Sequence, residues 1–381
     1  MEKNILLGQA NHSQVSIDEK INFLDIYRYF QENIEDYLKE SFLTDEDKDF
    51  IYNLSEGNVK FNITKHIEIF FQNNKTDKSK ILKYFIFRNN FFLSGKKKIN
   101  FGYPPYVLLE LVSTCNLRCP FCFQTDKTFT KKPFMGIMKN ELHKKIVDEC
   151  DNLRVGAITY GSRGEPTMHP HLSELLSYTR SKKNILEIKL NTNATFLNEK
   201  VIHSLLKNNI NQVVISADHY EKKEYERLRV NSNYEKILKN VDNLFKIRKD
   251  FYPNSITEIR VSGVNGDKDF NKTEYKKFWK KRADHVSSVI PMERWNTYEN
   301  ETHPDINDPC ENLWDRMYIW FDGKVNPCDA DYKSKLSYGD VGIDTIKSIW
   351  NNNIIRSCRN EHMNGGRNKI LPCDRCGVTF S

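Results

Sequence analysis

Cys115-Asn116-Leu117-Arg118-Cys119-Pro120-Phe121-Cys122 places three thiols within eight residues, directly after the apolar run from Tyr106 to Val112. Asn116, Arg118 and Pro120 between the thiols do not suit a packed interior, so the spacing reads as a ligand set rather than as three small core side chains. Three thiolates suit zinc or iron–sulfur chemistry. A closed structural site uses four protein ligands, and no fourth Cys or His lies close by. The next Cys is Cys150, and His143 falls within an expected helix. A three-ligand site leaves a metal position open, which is where a substrate or cosubstrate binds.

Outward from the triplet, short β-branched runs alternate with amphipathic stretches. Strands are expected at Val107–Val112, Val155–Tyr160, Leu186–Leu190, Val213–Ser216, Ile256–Val261 and Val286–Ile290. Helices are expected at about Met138–Leu153, Leu172–Lys182, Asn198–Asn208, Tyr234–Lys249 and Asn271–Lys281. Six such units predict an α/β fold, a partial (β/α)6 barrel of the TIM type with right-handed crossovers. Chemistry in such barrels gathers at the C-terminal ends of the strands, and the triplet follows the first strand.

The chain has 381 residues, nine of them Cys, and a net charge of +7. Its lysines are scattered among Asn, Glu and Asp, which reads as a solvated surface and not as a nucleic-acid stripe. No apolar run reaches membrane-spanning length. The N-terminal stretch has too short an apolar core for a signal peptide, and a cytoplasmic protein is the expectation. Cytoplasmic cysteines are not read as disulfides. Cys150 and Cys358, in helical stretches, read as ordinary packed thiols.

Residues 1–95 read as a helical accessory domain. A capping box at Ser16-Ile17-Asp18-Glu19 opens an expected helix from Ile17 to about Phe42. A second helix opens near Thr44-Asp45-Glu46-Asp47, and a third spans about Ser79 to Phe92. Ser94-Gly95-Lys96-Lys97-Lys98 reads as a linker. The barrel core then occupies residues 100–300, and a small C-terminal domain residues 305–381.

That C-terminal region holds Cys310, Cys328, Cys373 and Cys376. Tyr318–Val325 reads as a hairpin with an Asp322-Gly323 turn, which brings Cys310 and Cys328 together. Four thiolates close a site completely, with zinc as the plain alternative to iron–sulfur. His169 and His171 read as part of a loop leading into a helix rather than a metal pair. His362 is a weaker candidate ligand than the cysteines.

The triplet, as Cys-x3-Cys-x-Phe-Cys after the first barrel strand, resembles the radical S-adenosylmethionine enzymes. The resemblance implies a catalytic [4Fe–4S] cluster on Cys115, Cys119 and Cys122. It implies S-adenosylmethionine on the open iron, a 5′-deoxyadenosyl radical and hydrogen abstraction from a substrate. Phe121 would contact the adenine. Tyr160-Gly161-Ser162-Arg163-Gly164-Glu165-Pro166 resembles the family's Gly-Gly-Glu-Pro motif, departing from it by a Ser-Arg insertion. Glu165 would accept from the methionyl ammonium, and Gly164 would let the backbone approach closely. Asn193, in Leu190-Asn191-Thr192-Asn193-Ala194, stands where the family often has Thr-Asn-Gly. Ser216 and Arg229 would serve the carboxylate and ribose region. The C-terminal thiols resemble the SPASM/twitch extension, implying one auxiliary [4Fe–4S] cluster, because the cysteines of a second are lacking.

The resemblance implies an oxidoreductase. It would oxidise or epimerise a carbohydrate, aminocyclitol or nucleotide-linked small molecule, with a flavodoxin- or ferredoxin-like electron donor. The alternatives are a peptide- or protein-modifying maturase and, remotely, a non-catalytic metal-binding scaffold. Strand-end candidates for a proton acceptor are Tyr160, Arg163, Asp218, His219 and Arg294.

Overall fold

The computed structural model describes residues 23–58, 64–291 and 297–378. Among the described residues four helices come first: α1 (Phe23–Tyr37), α2 (Asp45–Ser55), α3 (Lys65–Asn74) and α4 (Lys78–Lys97). The capping box expected at Ser16 lies outside the described residues. The second helix opens where expected, and the structure shows a capping box there: Thr44 Oγ1 accepts from the Asp47 amide, and the Asp47 carboxylate accepts from the Thr44 amide.

Two N-terminal expectations are corrected. α3 was not foreseen, and Ser94–Lys97 is the last turn of α4 rather than a linker. Ser94 and Gly95 are small because another helix packs there: a Cβ on Gly95 would lie 3.3 Å from a Glu311 carboxylate oxygen.

Next come β1 (Tyr106–Leu109), α5 (Asn140–Asn152), β2 (Ala157–Tyr160), α6 (Leu172–Arg180), β3 (Glu187–Thr192), α7 (Glu199–Lys207) and β4 (Gln212–Ser216). They are followed by α8 (Lys222–Leu228), α9 (Tyr234–Phe251), β5 (Glu258–Val264), α10 (Lys272–Trp279) and β6 (His285–Val289). All six expected strands form, and all pair in parallel in the order β6-β5-β4-β3-β2-β1. α8 is an addition between β4 and α9.

The C-terminal region contains α11 (Asn312–Asp315), β7 (Met317–Ile319), β8 (Lys324–Asn326), β9 (Gly339–Asp340), α12 (Ile346–Trp350) and α13 (Asn353–Met363). The expected hairpin is β7–β8, antiparallel around Asp322-Gly323. It does not stand apart. β7 lies parallel to β1 and carries the barrel sheet on to nine strands.

The two faces of the sheet have different partners, set by the period-two alternation of a strand. Val107, Leu109, Ile158, Tyr160, Ile188 and Leu190 point outward into the main core, against the barrel helices. Tyr106, Leu108, Ala157, Tyr318 and Trp320 point inward and pack on α1–α4. The N-terminal helices are therefore the inner lining of the open barrel. α4 carries Ile81, Leu82, Tyr84, Phe85, Ile86 and Phe87 buried in near succession, as a helix covered on several sides must be. Phe70 and Tyr84 stack with centroids 3.5 Å apart. Gly156 is required just before β2, since a Cβ there would lie 2.1 Å from the Phe87 ring.

At the N-terminal ends of the strands this lining turns polar. His66 on α3 sits between two strand carboxylates, Nε2 2.9 Å from Glu187 and Nδ1 3.5 Å from Glu258. Tyr84 donates to Glu187, Arg88 lies 3.7 Å from the same carboxylate, and Gln212 donates to Glu258. A small cavity beside them is lined by Arg88, Thr159, Glu187, Lys189 and Gln212. No helix among the described residues is long and apolar enough to cross a membrane.

This charged floor makes docking of the helices pH-dependent. Burial alone would lower the His66 pKa, but Glu187 and Glu258 raise it to about 9. Burial alone would raise Glu187, but His66 and Arg88 bring it down to about 2. A raised imidazolium stabilises fully below its ordinary value and is lost as pH rises through about 9. A depressed carboxylate stabilises above its ordinary value and is lost as pH falls through about 2. Amide exchange in α3 and α4 should therefore accelerate as pH passes 9, once corrected for intrinsic rate. His66→Ala should remove that dependence. Unchanged alkaline behaviour in the variant would contradict the interlock.

Candidate functional site

The three N-terminal thiols sit in the loop leaving β1. The loop is fixed from several sides. The Gln124 amide nitrogen donates to the carbonyls of Ser113 and Arg163, both at 2.7 Å. Arg118 N donates to Val230 O at 3.0 Å, and Cys122 N to Cys119 O at 3.0 Å. Asn193, from the end of β3, donates its amide to Asn116 Oδ1 at 2.9 Å and to Cys115 Sγ at 3.6 Å. Burial pushes the Cys115 thiol up to about 11 and Cys122 up to about 12, and it also raises Cys119. Each thiol is therefore protonated at neutral pH in the metal-free chain, and binding a metal would release those protons.

The turn after β2 closes against this loop. Glu165 N donates to Thr114 O at 2.9 Å. A Cβ on Gly164 would lie 2.2 Å from Val112 O, so only glycine fits. Ser162 stands at φ 102°, a strained position that costs about 1–3 kcal/mol for a residue with a Cβ. The Glu165 carboxylate is almost fully buried. It accepts from Thr167 N at 3.1 Å and Thr192 Oγ1 at 2.7 Å through one oxygen, and from Asn193 N at 2.8 Å through the other. Burial raises its pKa and these hydrogen bonds oppose the rise. The second oxygen, with a single donor, keeps accepting capacity.

Arg229 and Asp218 form a buried pair, with Nη2 2.9 Å from Oδ1 and Nε 2.5 Å from Oδ2. Val264 N donates to the same carboxylate at 2.7 Å. The Arg229 guanidinium lies 5.7 Å from the Phe121 ring centroid and is electrostatically coupled to Cys119. Ser216 is half-buried at the end of β4, in register with Ser262. Phe121, Gly164, Glu165, Asn193 and Arg229 thus lie against the triplet loop or the turns packed on it.

The four proton-acceptor candidates among the described residues do not share one task. Tyr160 points outward, away from the barrel interior, and is 2.9 Å from His143 Nε2 and 2.5 Å from Thr179 Oγ1. Asp218 is committed to Arg229. His219 stacks on Tyr220 at 4.7 Å, and its Nδ1 accepts from Glu221 N. Arg294 lies outside the described residues. Arg163 faces the interior, but its Nε and Nη2 are bound to Glu110 at 2.7 and 2.5 Å, and its Nη1 to Tyr332 O at 2.7 Å. The aromatic planes of Trp320 and Phe129 flank it at 4.2 and 5.3 Å. His169 Nε2 contacts Met138 O, and its Nδ1 accepts from His171 N, a local loop arrangement.

The four C-terminal thiols come from three segments, Cys310 before α11, Cys328 after β8, and Cys373 and Cys376 on the final turn, and lie near enough to influence one another electrostatically. Burial pushes Cys310 up to about 11 and raises Cys328 and Cys373 well above the usual thiol value. The neighbouring thiols contribute to each rise. Cys358, expected to be an ordinary packed thiol, is buried on α13 and is electrostatically coupled to both Cys310 and Cys373. His362 Nδ1 accepts from Cys310 N at 3.2 Å. Among the described residues no three His, Cys, Asp or Glu side chains converge on one point, as a single metal ion needs.

Glu110, Gln124 and Tyr332 organise the site and were missed. Glu110 is a fully buried acid directly after an apolar strand, and that anomaly is a signal visible in the sequence. Tyr332 stacks on Phe123, next to Cys122, with centroids 5.0 Å apart, and so joins the two thiol regions.

Residues 109–269 match the Radical SAM superfamily, and residues 310–377 match SPASM, an iron-sulfur cluster-binding domain. The GTP 3′,8-cyclase of Clostridium botulinum is 27% identical over 171 residues, which is 45% of this chain and 50% of that protein. The chain thus spans about half the length of the curated relatives it matches. Among solved structures, Streptococcus suis SuiB bound to precursor peptide SuiA aligns with a TM-score of 0.56 at 13% identity, over 85% of this chain and 89% of that one. BtrN in complex with AdoMet and 2-DOIA aligns with a TM-score of 0.51 at 17% identity, over 72% and 93%. At these identities the likeness is one of fold.

The Glu110–Arg163 pair should dominate local stability. Arg163→Met leaves a buried carboxylate unpaired, and urea unfolding should show a loss of about 3–5 kcal/mol. Adding Glu110→Gln should recover part of it. A loss below about 1 kcal/mol would contradict the role given to the pair.

Proposed function

With a radical S-adenosylmethionine domain followed by a SPASM domain, this chain is a radical S-adenosylmethionine enzyme, and we propose that it oxidises or epimerises a polyhydroxylated small molecule such as a carbohydrate, an aminocyclitol or a nucleotide-linked sugar. The observation that carries the reading is the pairing of an incomplete group of three thiols with a complete group of four.

The donor sets fit the groups the two domains imply, S-adenosylmethionine and [4Fe–4S] clusters. Cys115, Cys119 and Cys122 would hold the catalytic cluster and leave one iron to S-adenosylmethionine. Cys310, Cys328, Cys373 and Cys376 would hold the auxiliary cluster. When bound, the catalytic cluster and S-adenosylmethionine would supply radical chemistry for hydrogen abstraction. The chain's own task is to hold and orient. The less occupied oxygen of Glu165 would accept from the methionyl ammonium, and Gly164 admits the close backbone. Asn193 steadies Cys115. Arg229, fixed by Asp218, would present positive charge to the carboxylate, with Ser216 beside the ribose and Phe121 against the adenine.

The inner face of the later strands supports a polyhydroxylated substrate. Ser216, Ser262 and Ser287 place half-buried hydroxyls there, and such groups suit ligand hydroxyls. A peptide substrate is the second reading. It would call for a docking module, yet the described N-terminal helices spend their apolar side on the sheet. The four-thiol site, with no open ligand position, suits electron acceptance, and a flavodoxin- or ferredoxin-like protein would supply the reducing electron.

Anaerobic reconstitution should yield about eight irons per chain. Cys115→Ala should abolish 5′-deoxyadenosine formation while keeping about half the iron. Zinc in place of iron, or surviving 5′-deoxyadenosine formation, would overturn the assignment. Incubation with deuterated polyols and deuterated peptides, scored by deuterium in 5′-deoxyadenosine, separates the two substrate classes.

A further inference from the structure

Arg367 is 1% exposed, one of the largest fully buried side chains in the protein. It opens the short turn Arg367–Lys369 between α13 and the final pair of cysteines. Its Nη1 donates to Asp308 O at 3.3 Å, and its Nη2 to Cys376 O at 3.2 Å and Val378 O at 2.7 Å. One guanidinium therefore fastens the segment entering Cys310 to the segment carrying Cys376.

Its partners are all neutral. Arg163, Arg229 and Arg316 each have a carboxylate beside them, whereas no carboxylate among the described residues pairs with Arg367. Its Nε is buried without a partner, and so is Nε2 of neighbouring His362. A buried cation held only by carbonyls is expensive unless an anion lies close. The anion it can meet is the cluster itself, because its hydrogen bonds seat it against the carbonyl of Cys376 and the segment entering Cys310. Four thiolates around a [4Fe–4S] core carry net negative charge, and net charge is one of the factors that set a cluster's potential.

We propose that Arg367 is a positioning residue that clamps the four-thiol site and balances the charge of its cluster, making that cluster easier to reduce. The inference rests on reading the four C-terminal thiols as one closed iron–sulfur site. It fits that cluster to take an electron from a substrate radical.

The test is spectroelectrochemical titration of the reconstituted full chain, followed by electron paramagnetic resonance, for the wild type, Arg367→Gln and Arg367→Lys. In Gln the C-terminal cluster should become harder to reduce while the N-terminal cluster keeps its potential. Lys, which keeps the charge but not the fork, should lie closer to the wild type. An intact C-terminal cluster with unchanged potential in Gln, or equal shifts in Gln and Lys, would overturn the proposal. Loss of the cluster in Gln with retention in Lys would support it. Loss in both would reduce Arg367 to a structural clamp and overturn the charge role. A wild-type chain with no C-terminal cluster would instead refute the four-thiol reading itself.

Discussion

The Arg163 guanidinium, gripped by Glu110 and by the carbonyl of Tyr332, is the point at which three segments of the site meet. Glu110 directly follows β1 and leads into the loop bearing the first three thiols. Arg163 belongs to the turn that ends in Glu165. Tyr332 follows Cys328 in the loop between β8 and β9. A charge pair this deeply buried is costly to form and costlier to break, so it specifies one relative placement of the two thiol regions. The Phe123–Tyr332 stack and the hydrogen bonds of Gln124 reinforce that placement.

The sheet divides labour along its length. At the N-terminal ends of the strands, α3 and α4 close the barrel interior with apolar contacts and a charge-compensated floor around His66. At the C-terminal ends the loops carry cysteines, a strained turn and a Glu165 carboxylate oxygen that has a single donor. Stability is concentrated below and unspent chemistry above, the division expected of a parallel barrel. β7 extends the division to the C-terminal region. Because it pairs with β1, the four-thiol site is anchored to the strand that introduces the three-thiol site.

Much of this was legible in the sequence because it depends on local patterns. The six strands, the helix opening near Thr44, the Asp322-Gly323 hairpin and both cysteine groups are matters of periodicity and spacing. What escaped depends on tertiary partners. Tyr160 stands at a strand end, but it shares parity with Ile158, and a period-two chain then sends it outward. Asp218 and Arg229 were assigned separate tasks although eleven positions of chain fold back to pair them. The end of α4 was missed because α4 is buried on several sides and so lacks the one-sided apolar stripe by which surface helices are found. Arg163 looked reactive because a charged residue in a motif invites that reading, while its counter-charge lies 53 residues away.

The central claim is that one thiol group leaves a metal position open and the other does not. Adding S-adenosylmethionine to the reduced, fully reconstituted chain and recording electron paramagnetic resonance spectra tests it directly. The account predicts that the signal depending on Cys115, Cys119 and Cys122 changes on addition, while the signal depending on Cys310, Cys328, Cys373 and Cys376 stays as it was. A response from the C-terminal signal, or from neither, would contradict it.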